Sequence, residues 1–169
     1  MATHAPHSEN QPHALLLACG NTFRGDDGVG WCICRAIEEQ LQFDGLTVMK
    51  TRQLLPEHAQ AVSAADVVVF VDCSSVAAAG TVSTIPIEPA ATLPPVLTHH
   101  LEPAALLRLS ADLYERIPAR AIAITVGGES FDWTDRLSRR VKSAVPEAME
   151  AVRTALLGIP ELEPLLQGH

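Results

Sequence analysis

Continuous apolar runs alternate with amphipathic segments along this chain, and that alternation predicts an α/β fold, a mostly parallel sheet with helices on both faces. Two further observations point the same way. The apolar runs are unbroken, as in strands buried on both faces. The residues that carry chemistry, Asp27, Asp72 and His99, fall where a strand ends or a helix begins, where such sheets place their working groups.

The elements follow in order. Residues 14–19 are a continuous apolar run closed by Gly20 and predict a buried strand. The loop 21–26 leads to a helix expected over 27–42, with Val29, Ile33, Ala36, Ile37 and Leu41 on one face and Asp26 or Asp27 as its cap. Residues 46–51 form a second strand. A short helix spans 56–64, with Pro56 suited to its first turn. Residues 66–71 are the most β-branched strand. Residues 80–87 alternate and run into Pro86 and Pro89, which suits an edge strand. Pro94-Pro95 marks an extended loop to His99. A helix over 101–114, a buried strand over 121–126 broken by Gly127-Gly128, and a final helix over 137–157 with a kink point at Pro146 complete the chain.

No repeat, low-complexity segment or linker divides the sequence. One domain is therefore expected over residues 14–157, between a polar, His-rich tail (1–13) and a Pro- and Glu-containing tail (158–169). A length of 169 residues suits one domain with a real core. With 47% hydrophobic and 19% charged residues, the composition is that of a globular protein rather than a disordered one. No apolar stretch approaches the roughly 20 residues of a membrane helix, and the N-terminus lacks the basic and apolar regions of a secretory signal. The expected setting is the cytoplasm, without a membrane partner. A net charge of −8 argues against nucleic acid, since phosphates would meet no neutralising surface. A monomer is the default expectation. Cys19, Cys32, Cys34 and Cys73 match no zinc spacing, and Cys32 and Cys34 project roughly 200° apart on a helix. They read as free thiols in a reducing compartment.

The segment Gly20-Asn21-Thr22-Phe23-Arg24-Gly25-Asp26-Asp27-Gly28-Val29-Gly30 resembles a dinucleotide loop only superficially. It lacks Gly-x-Gly-x-x-Gly, and it sets two anions where a pyrophosphate would meet the helix N-terminus. Capping needs one carboxylate, which leaves the other free at the top of the sheet. Asp72 follows the run Val67-Val68-Val69-Phe70-Val71, and His99 lies beside its competitor His100. Taken singly, these residues are ordinary turn and loop residues. Together, two carboxylates and an imidazole suit a first-row divalent metal, with positions left open for water or substrate. Cys73 and Ser74 also end a strand, but no Gly-x-Ser-x-Gly elbow surrounds them and no His partner is specified.

These motifs resemble the [NiFe]-hydrogenase maturation endopeptidases. That family carries Gly-Asn-x-x-x-x-Asp-Asp/Glu-Gly-x-Gly after its first strand, which matches residues 20–30. It carries an acid at the end of an apolar strand, matching Asp72, and a Ser/Thr-His-x-Leu-x-Pro segment, matching Thr98-His99-His100-Leu101-Glu102-Pro103. The resemblance extends through Arg52-Gln53-Leu54-Leu55-Pro56-Glu57 and Gly128-Glu129-Ser130-Phe131, and covers roughly residues 14–157. It implies a three-layer α/β/α sandwich around a twisted sheet of about five strands. It implies that Asp27, Asp72 and His99 are the metal-contacting and catalytic residues, His99 rather than His100. It implies an endopeptidase that removes a C-terminal extension from a hydrogenase large-subunit precursor after nickel insertion. Nickel then arrives with the substrate as the recognition signal, and another divalent metal is expected to bind in vitro. The alternative is a non-catalytic docking or checkpoint protein for the same large subunit. Where some members have a Gly-rich stretch, this chain has Arg52-Gln53.

Overall fold

The computed structural model describes residues 13–41, 45–93 and 101–156. Five strands form one sheet: β1 (Ala14–Cys19), β2 (Leu46–Thr51), β3 (Val67–Ser74), β4 (Val82–Pro86) and β5 (Arg120–Gly127). Their order is β2-β1-β3-β5-β4. All pairings are parallel except β4 with β5, which is antiparallel. The helices are α1 (Val29–Gln40), α2 (Ala59–Ala64), α3 (Pro103–Tyr114) and α4 (Arg139–Leu156). The α/β fold with about five mostly parallel strands is the one expected.

The period of two along each strand divides the interior into two cores. Leu16, Val69 and Val71 face α1 and α4, packing against Ile33, Ile37 and Val152. Leu15, Leu17, Val68 and Phe70 face the other way, against Val62 of α2 and Leu106 of α3. Ser110, fully buried, ties that second layer together by donating to the Ala59 and Leu106 carbonyls. The helix–sheet–helix layering follows, because strands buried on both faces need an apolar helix stripe on each.

The direction in which strands are added across the sheet reverses between β1 and β3. From β1 the chain goes outward to β2, then crosses back to β3 on the opposite side of β1. The loops leaving the C-terminal ends of β1 and β3 therefore diverge, and a crevice opens between them. Gly30 lets α1 lie against this point. A Cβ there would stand 2.6 Å from the Val71 carbonyl oxygen and 3.0 Å from that of Cys19. The helix thus touches the backbones of both strands that supply the site.

Four details differ from the sequence expectation. Asp72 lies inside β3 rather than after it, because β3 stays in register with β5 as far as Ser74 opposite Gly127. The first helix is preceded by a 3-10 turn, Gly25–Gly28, which contains Asp27. No side chain caps α1, because both aspartates are engaged elsewhere. His13 is held at the sheet margin: its N–H donates to Asp66 Oδ2 at 2.9 Å, and its carbonyl accepts from the N–H groups of Asp66 and Val67. The edge strand is observed, and Pro146 sits within α4. The rest of the expected tails, residues 1–12 and 158–169, lies outside the described residues.

Candidate functional site

The loop after β1 is built to present a carboxylate. Gly20 has φ of +126°, and a Cβ on it would come within 1.9 Å of the Asp27 carbonyl oxygen. Only glycine lets the chain fold back so tightly. Asn21 then forms an Asx turn, its side chain accepting from Phe23 N–H at 3.0 Å. The Asn21 N–H donates to Asp27 Oδ2 at 2.7 Å, which fixes the direction of that side chain.

The adjacent aspartates have separate tasks. Asp26 is fully buried. It accepts from the N–H groups of Glu129 (2.8 Å) and Ser130 (2.9 Å) through Oδ2 and of Ser138 (2.6 Å) through Oδ1. Burial pushes its carboxyl up, but these backbone donors outweigh burial and hold it below the usual aspartate value. Asp26 is thus a structural clasp between the first loop and the loop before α4, while Asp27 faces the crevice.

Asp72 approaches from β3. Two residues beyond Phe70, it shares that residue's face of the sheet, opposite Thr125 of β5. Burial raises its pKa to about 6, the Cys73 N–H (2.7 Å to Oδ1) opposes that rise, and the charge of Asp27 adds to it. Asp72 therefore exchanges a proton near neutrality.

Asp27 and Asp72 line one cleft of about 520 Å³ at the β1/β3 reversal. Apolar surface from Phe70, Leu101, Ile87 and Ala123 shares it with the polar groups of Arg52, Glu102 and Thr125. His99 and His100 lie outside the described residues, but the segment that follows them, Leu101 to Pro103, forms part of the cleft wall. Among the described residues, no group of three or more His, Cys, Asp or Glu is disposed to hold a metal ion. The described part of the expected ligand set is its two carboxylates.

The four cysteines are free thiols. Cys19 and Cys73 line the cleft. Burial first, and then the nearby aspartate charges, push both up to about 12. Neither is a thiolate at neutral pH, so neither supplies a ready nucleophile. Residues missed as cleft components from sequence are Cys19, Arg52 and Thr125. The strand-end position of Cys19 and the departure at Arg52-Gln53 were the available signals.

No protein-family model and no curated protein matches the chain. Solved structures do. The hydrogenase-maturing endopeptidase HybD from E. coli superposes with a TM-score of 0.69 at 22% identity, covering 85% of this chain and 91% of that one. The chain has the hydrogenase maturation protease fold. The [NiFe] hydrogenase maturation protease HycI from Thermococcus kodakarensis KOD1 gives 0.66 at 19% identity, over 88% and 94% of the two chains. HybD from Thermococcus kodakarensis gives 0.61 at 23%, over 84% and 97%. These superpositions cover 84–88% of this chain with the maturation protease fold. Among the described residues no helix is long and apolar enough to cross a membrane.

Proposed function

We propose that this chain is a hydrogenase maturation endopeptidase. It removes the C-terminal extension of a [NiFe]-hydrogenase large-subunit precursor once nickel has been inserted, acting as a monomer in the cytoplasm through a single domain over residues 14–157. The observation that carries this reading is the meeting of Asp27 and Asp72 in one cleft, with the segment after His99 forming its wall. The shared fold supports it.

In this reading the precursor's tail lies along the cleft, its side chains against Phe70 and Leu101. Asp27, Asp72 and His99 offer oxygen and nitrogen donors to a nickel ion that belongs to the substrate. Thiolates of the substrate hold that nickel more firmly than carboxylates could remove it. The enzyme thereby contacts the ion without extracting it, and reads its presence. A carboxylate takes a proton from water, the water oxygen bonds to the scissile carbonyl carbon, the C–N bond breaks, and the proton passes to the departing amine. In the metal-free cleft burial raises the Asp72 pKa to about 6, so this carboxylate is the more basic for proton uptake when it is not itself bound to the ion. The substrate's nickel polarises the carbonyl.

The test is intact-mass analysis of nickel-loaded and nickel-free precursor after incubation with the protein. Loss of a C-terminal peptide from the loaded form alone is the expected result, and Asp27→Asn, Asp72→Asn and His99→Ala each abolish it. Cleavage of both forms would keep the protease and remove the nickel check. Binding without cleavage would replace the enzyme with a docking protein.

A further inference from the structure

We propose that Phe23, Arg24 and Trp133 form a platform that docks the folded body of the protein whose tail enters the cleft; this rests on the function proposed above. Phe23 is 57% exposed and Trp133 78% exposed. The Arg24 guanidinium lies over the Trp133 ring, 5.2 Å from its centroid, and Arg24 joins none of the ion pairs among the described residues. Aromatic and arginine side chains are the types that anchor protein interfaces.

The platform is held rigidly. Gly25 N–H donates to the Thr134 carbonyl at 2.9 Å, and Thr134 N–H donates to that of Phe23 at 3.1 Å. Beneath them, Asp26 clasps Glu129, Ser130 and Ser138. Two large aromatic groups are thus kept in water on backbones that cannot fold them away. Such an arrangement loses little ordering entropy when a partner arrives.

Its place identifies the partner. One loop separates the cleft from a second hollow of about 350 Å³: Gly20 and Asp27 face the cleft, while Thr22 and Phe23 face the hollow with Trp31 and Leu137. A protein with its tail beside Asp27 brings its body next to this loop, which is one wall of the cleft. The cleft already accommodates the tail, so the platform engages the folded part of the precursor. The chemistry fits an apolar knob against Phe23 and Trp133 with a carboxylate beside it, paired to the outer N–H edge of Arg24.

Steady-state cleavage of nickel-loaded precursor tests the platform. Trp133→Ala and Arg24→Glu are expected to raise KM about tenfold or more with kcat within about twofold. Trp133→Phe restores most of the affinity, and Leu113→Ser, an exposed apolar residue on α3, leaves KM unchanged. Thermal melting confirms that each variant folds. Unchanged KM in both platform variants, with the wild type active, overturns the platform and spares the proposed function. Wild type that binds without cutting shifts the readout to precursor Kd, where weakening by the same variants supports the platform and unchanged Kd overturns it. Wild type that neither binds nor cuts removes both readings.

Discussion

Asp72→Asn should make the protein more stable and inactive together. The carboxyl is lifted from the ordinary aspartate value near 3.9 to about 6, with burial the main cause. That displacement corresponds to about 3 kcal/mol against the charged form. Asp72 is only partly buried, and asparagine still accepts from Cys73 N–H, through a weaker neutral bond. The net gain is then on the order of 1–2 kcal/mol, or a few degrees in Tm for a domain of this size. The folded-state pKa is raised, so between about pH 4 and 6 the native state binds more protons than the unfolded state, and wild-type stability falls as pH rises through that window. The variant escapes this loss. Urea unfolding of the metal-free protein at about pH 8 should show its full advantage, which should shrink as pH falls toward about 4. A variant no more stable than wild type at the higher pH, or an advantage that does not change with pH, would refute the reasoning. Stabilisation accompanied by loss of cleavage would mark Asp72 as a charge kept for function.

Two further outcomes follow from the packing. Asp26→Ala leaves three backbone N–H donors without their acceptor and should cost about 3 kcal/mol or more in chemical unfolding. Because Asp26 is held below its usual value, its contribution is complete above the ordinary aspartate pKa and is lost as pH falls through its folded-state value; an Asp26→Asn variant should therefore lose part of the wild type's acid sensitivity below about pH 4. Gly30→Ala places a Cβ 2.6 Å from the Val71 carbonyl oxygen, and a melting curve should show destabilisation of about 2 kcal/mol or more, with reduced cleavage because the loop bearing Asp27 moves off the β1/β3 junction.

Residues 14–19 became a strand as read, because an unbroken apolar run has few other ways to be buried; residues 46–51 did so as a half-buried edge strand rich in β-branched residues. The face Val29, Ile33 and Ile37 became the buried side of α1 for the same local reason. Much of the candidate site was legible too: Gly20, Asn21 and Gly30 are local backbone requirements of one tight loop and one close helix contact, and their spacing around Asp27 is visible in a single stretch. The carboxylates themselves were less legible. Nothing near Asp26 and Asp27 in the sequence says which one faces the cleft. The decision is made by N–H groups of Glu129, Ser130 and Ser138, about a hundred residues away, which draw Asp26 inward and leave Asp27 at the crevice.

Sequence pattern was enough for element type and the order of the strands along the chain, because side-chain period and backbone geometry are set by near neighbours; the choice of Asp27 over Asp26 came from the family resemblance. Strand order in the sheet, the extension of β3 through Asp72 and the protonated state of Cys19 and Cys73 belong to the tertiary structure. So does the pairing of Arg24 with Trp133 and Thr134. Each of these depends on hydrogen bonds, burial or charge between segments far apart in the chain, and such terms have no value until the segments are brought together.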